Sequence, residues 1–89
     1  MTDLSPKLRS TLTQAEKAIQ RVPAVYRKEL CDSLKNKFEN PLKYVFRHTD
    51  MNAINAFQEI SLLFNSLCDR DKELFVLSFS ELSEKINCT

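Results

Sequence analysis

Glycine is absent from this chain. β-Hairpins, phosphate-binding loops and dinucleotide-binding turns lean on glycine, because they need positive φ or close backbone approach. Its absence argues against those devices and for helices joined by short loops that use Pro, Asn and Asp instead. Tryptophan is absent too, and His48 is the single histidine. A nucleophile–histidine pair would have to use His48 with Cys31 or Cys68, and both thiols fall on expected apolar faces, where they ionise poorly. The carboxylate pairs Asp69/Asp71 and Glu81/Glu84 read as helix capping and a solvated face. One histidine and scattered cysteines fall short of the roughly four closely spaced ligands of a structural metal site. The expectation is a protein that is not an enzyme and uses neither metal nor cofactor.

The three cysteines, Cys31, Cys68 and Cys88, are odd in number and none are closely spaced. They are expected to be reduced, in a cytoplasmic protein. The first ten residues, MTDLSPKLRS, lack the apolar core of a signal segment. No uninterrupted run of about 18 apolar residues occurs, so no membrane span is expected. Net charge is only +1, but residues 1–48 hold ten Lys/Arg against five Asp/Glu, and residues 49–89 hold three against seven. Such halves can attract each other within one small domain, or the first can meet an anionic partner.

Hydrophobic and charged residues make up 43% and 28% of the chain, ordinary for one soluble globular domain spanning residues 1–89. Ser5-Pro6 is a cap followed by a first-turn proline, and Leu8, Leu12, Ala15, Ile19 and Val22 then form one apolar stripe up to Pro23. A second helix, from about Ala24 to Phe38, carries Leu30, Cys31, Leu34 and Phe38. Extending that stripe backwards reaches Arg27, expected to snorkel, to pair with a carboxylate, or to bind a partner. Asn40-Pro41 repeats the cap signal and predicts a short helix from Leu42 to about Arg47, with Leu42, Val45 and Phe46 as its apolar edge. The next stretch, Asp50 to Cys68, is apolar over most of its circumference and is expected to be surrounded by other helices. A last helix, capped at Asp69 or Asp71, carries Phe75, Phe79, Leu82 and Ile86. The expected fold is all-α: a compact antiparallel bundle of four to five helices with the 50–68 helix central.

Two surfaces stand out. On a helical wheel Leu77 falls among Glu73, Ser80, Glu81 and Glu84, and Met51 and Leu62 fall among Asn55, Gln58 and Asn65. Apolar side chains amid polar ones can mark a contact. Leu77, Glu81, Glu84, Leu62 and Met51 are therefore the candidate partner-binding residues. The other surface is the basic segment 35–48, with Lys35, Lys37, Lys43 and Arg47 interleaved with Tyr44. Together with Asn52 and Asn55 it sketches a helix-turn-helix that could bind nucleic acid. Asp50 and Glu59 nearby would repel phosphate. The favoured expectation is a small non-catalytic binding protein (an inhibitor, adaptor or regulator) that docks a helical face on a protein partner or on a copy of itself. The alternative is a nucleic-acid-binding transcriptional regulator.

Overall fold

A computed structural model describes residues 5–87. It contains four helices: α1 (Pro6–Gln20), α2 (Ala24–Glu39), α3 (Met51–Asn65) and α4 (Asp69–Asn87). No strand occurs among the described residues. Nor does any described residue have positive φ, so the backbone has no position that needs glycine.

The helix ends follow local chemistry. The Ser5 hydroxyl accepts a 3.1 Å hydrogen bond from the Leu8 N–H, with Pro6 in the first turn. Asp50 Oδ2 accepts from the Ala53 N–H at 2.9 Å and starts α3. Asp69 and Asp71 occupy the first turn of α4, where they suit the positive end of its dipole. Arg27 neither snorkels freely nor meets a carboxylate. Its Nε and Nη2 donate to the carbonyls of Val22 and Gln20, each at 3.0 Å. A cation one turn into α2 thus satisfies carbonyls left open at the end of α1.

The backbone measures 37 × 31 × 16 Å. The short dimension matches two stacked helices, given Cα radii of about 2.3 Å and axes about 8–10 Å apart. α1 and α2 touch each other little, as do α3 and α4, whereas each of α1 and α2 packs on both α3 and α4. The core is therefore built mainly by α1 and α2 packing against α3 and α4. The contact of α1 with α3 is the most extensive, and Ala15, Ala18, Ala53 and Ala56 are all buried there. Phe38 of α2 meets Phe64 of α3 at 4.5 Å between ring centroids and Phe75 and Phe79 of α4 at 5.5 and 5.3 Å. Two polar contacts tie the start of α1 to the α3–α4 turn: Lys7 Nζ donates to the Ser66 carbonyl, and the Ser5 hydroxyl to Asp71.

Three sequence expectations need correction. No helix forms over 42–47: Pro41 to Lys43 make one turn, and residues 44–48 have no regular secondary structure. Here the side chains alternate in burial with a period of two, Tyr44, Phe46 and His48 half-buried and Val45 and Arg47 exposed. The long helix is not surrounded. Its outer side, with Asn52, Asn55, Gln58 and Asn65, is open. Cys68 falls in the turn beyond α3 and is exposed, not on an apolar face. Cys88 lies outside the described residues.

Two consequences are measurable. Phe79 is wholly buried, so Phe79→Ala should cost about 3–5 kcal/mol in denaturant titration. The Cys31 thiol is also wholly buried. Desolvation pushes its pKa from 9.0 to about 11, with Lys35 opposing and Asp32 adding. Below the lower value the thiol is neutral in both states. Between the two, the unfolded chain ionises it and the folded chain does not, so stability falls as pH rises through that window. Comparing stability–pH curves for the wild type and Cys31→Ala should show a difference of roughly 2–3 kcal/mol developing there. Coincident curve shapes would disprove it.

Candidate protein-docking surface

The segment between α2 and α3 builds one wall of the candidate site. The turn at Pro41 is closed by Tyr44 N–H donating to the Asn40 carbonyl at 3.1 Å. Lys37, near the end of α2, donates its ammonium to the carbonyls of Pro41 and Tyr44 at 2.8 and 3.2 Å. The segment then crosses α3 as a strap. Phe46 stacks on Phe57 with centroids 4.6 Å apart, and Tyr44 lies 6.3 Å from the same ring. Phe57 is thus covered by the strap instead of by a helix.

His48 anchors the far end. Its Nδ1 accepts from the Asp50 N–H at 2.9 Å, so the ring proton sits on Nε2 and faces Glu29 Oε2 at 3.3 Å. Tyr26 meets the ring edge-on at 4.7 Å, and Phe46 stacks against it at 5.7 Å. One imidazole therefore joins α2, the strap and the capping residue of α3.

Two adjoining hollows open beside the strap. One, of about 210 Å³, is lined by apolar groups including Tyr44, Val45, Phe46 and Ile54. The other, of about 410 Å³, has Ser61, Leu62 and Asn65 in its wall. Lys37, Phe57 and Gln58 border both, which makes them one groove along α3. Ser61 Oγ is buried beneath it without a hydrogen-bond partner.

The candidate partner-binding residues are all open to solvent. Met51 is 63%, Leu62 70% and Leu77 67% exposed, and Glu81 and Glu84 are exposed as well. Met51 and Leu62 stand on the exposed side of α3, and the other three on the exposed side of α4. Leu62 also lines the groove; Leu77 does not. Val45 and Ile54 belong to the groove and were missed, because a helix was expected where the strap runs. The period-two alternation of Tyr44, Phe46 and His48 was the available signal.

The basic residues are dispersed. Lys43 and Arg47 are exposed and Lys35 half-buried, while the ammonium of Lys37 is held by two carbonyls. Tyr44 is engaged with Phe57. Asn52 and Asn55 line a different hollow, on the α1 side, with Arg21 and Glu59. The helix before the turn, which a helix-turn-helix requires, is absent. Among the described residues the opposite charges of the two halves meet in one Lys/Arg–carboxylate pair, Arg21–Glu59 at 3.6 Å. Most formal charge therefore remains on the surface.

No group of three or more His, Cys, Asp and Glu able to hold a metal ion occurs among the described residues. No helix among them is long and apolar enough to cross a membrane. Comparison with protein-family models, curated proteins and solved structures finds no match.

The His48 junction carries a testable consequence. His48→Phe keeps a ring against Tyr26 and Phe46 but leaves the Asp50 N–H without an acceptor. It should cost about 1–3 kcal/mol in thermal or denaturant unfolding and speed hydrogen exchange at the Asp50 amide. An unchanged exchange rate would show that the imidazole is not the cap's support.

Proposed function

We propose that this chain is a non-catalytic binding protein that docks the exposed faces of α3 and α4 on a protein partner, as an inhibitor, adaptor or regulator. The observation that carries it is Leu62, 70% exposed at the mouth of a groove of about 410 Å³. Covering a side chain of that size contributes about 1.5–3 kcal/mol, which makes Leu62 the natural anchor. Met51 and Leu77 extend the apolar contact. Glu81 and Glu84 form a charged rim that sets encounter rate and partner choice more than affinity. The groove supports this reading in another way: its floor, Phe57, is fixed by two aromatic neighbours from the strap, so the surface is formed before a partner arrives.

The proposal takes the protein to be cytoplasmic, where Cys68 stays a free thiol. It also takes successive helices as running antiparallel across the turns at 21–23 and 66–68.

Affinity capture from native cell extract, with and without nuclease, tests it directly. Leu62→Asp and Leu77→Asp should each weaken capture at least about tenfold, the effect of losing about 1.4 kcal/mol, with unchanged melting temperatures. Capture that survives both substitutions would refute the docking face. Capture lost only on nuclease treatment would favour the nucleic-acid alternative through Lys43 and Arg47.

A further inference from the structure

The outer stripe of α3 reads alike in both directions. Met51, Asn55, Gln58 and Leu62 follow one another at spacings of four, three and four, in the order apolar, amide, amide, apolar. At about 100° per residue all four fall within an arc of about 60°. All four are exposed, and none is charged in a chain with 28% charged residues. Charges flank it on both sides: Glu59 pairs with Arg21 of α1, and the Lys37 ammonium, which shares hollows with Gln58 and Leu62, is held by two carbonyls.

We infer that the partner covering this stripe is a second copy of the chain, with the two α3 helices crossing antiparallel about a twofold axis between Asn55 and Gln58. The inference rests on the docking reading above and names the partner of its α3 stripe alone, leaving Leu77 on α4 outside this contact. A twofold contact brings each surface against itself, so a charged stripe would repel its own image; the four residues of this one carry no charge. In this register Met51 faces the partner's Leu62 and Asn55 faces the partner's Gln58, each pair occurring twice. Amides suit the middle because each both donates and accepts. The molecule is broad enough, since a face of 37 × 31 Å has room for the roughly 800 Å² per partner that a standard interface buries.

Sedimentation equilibrium on the full chain, up to about 1 mM, tests the inference. The expected mass is twice the 10.3 kDa of one chain. Leu62→Asp should raise the dissociation constant at least about tenfold, while Leu77→Asp, off the stripe, should leave it unchanged. Register is tested by Asn55→Glu and Gln58→Lys. Each alone sets like charges beside the axis and should dissociate the dimer. An equimolar mixture sets Glu against Lys and should restore it. All these positions are exposed, and thermal melts verify that the variants fold. A single-chain mass throughout, a dimer indifferent to Leu62→Asp, or a mixture that stays dissociated would overturn the inference. A monomer whose capture of another protein still depends on Leu62 would remove the second copy and leave the docking function standing.

Discussion

Phe38 is the residue through which α2 grips both α3 and α4. Its ring stacks on Phe64, which α3 supplies, and takes the edges of Phe75 and Phe79 from α4. Aromatic pairs at these separations add about 0.5–1.5 kcal/mol each beyond their buried area. The position of this cluster matters as much as its strength. Phe38 is near the end of α2, so fixing it also fixes Lys37, the residue before it. Lys37 then holds the two carbonyls that shape the turn at Pro41, and the strap leaves that turn already aimed at Phe57. The groove beside α3 is in this sense a by-product of core packing: move Phe38 and its wall moves.

The surface contrasts with that core. A domain of this size buries roughly 60–65% of its extended-chain surface, which leaves little apolar surplus for display. Even so, Leu42, Val45, Met51 and Leu62 stand exposed on the strap and the helix it crosses, with Leu77 on the neighbouring helix. α1 contributes no large exposed hydrophobic residue among those described. The uncharged stripe on α3 and the acidic surroundings of Leu77 on α4 make unlike surfaces. One suits a self-complementary contact and the other a basic neighbour.

Much of the fold was legible because helices advertise themselves. Ser5-Pro6 and Asp50 marked true helix starts, and the spacing of Leu8, Ala15, Ile19 and Val22 marked a true buried face. Exposure of Met51, Leu62 and Leu77 was also readable, since a wheel angle depends only on local geometry. Contacts between distant segments were less readable. Residues 42–47 pass a helix test because Leu42, Val45 and Phe46 have helical spacing, yet the deciding factors are a lysine on another element and a phenylalanine across the groove. Arg27 looked like an error in an apolar stripe because its acceptors are backbone carbonyls, which no residue pattern displays. The 50–68 stretch was apolar enough to suggest enclosure, but only the way the helices pack reveals that one side stays open. That openness produces the candidate site.

The order of the contacts has a further consequence for how the chain acquires its structure. α1 and α2, neighbours in sequence, touch each other little, and the most extensive contact, α1 with α3, joins segments separated by all of α2 and the strap. Forming it requires closing a long loop before any stabilisation is gained. During synthesis α1 and α2 emerge first, with Leu8, Ile19, Leu30 and Leu34 lacking the helices that cover them. Burial of the first half of the chain therefore waits for the second.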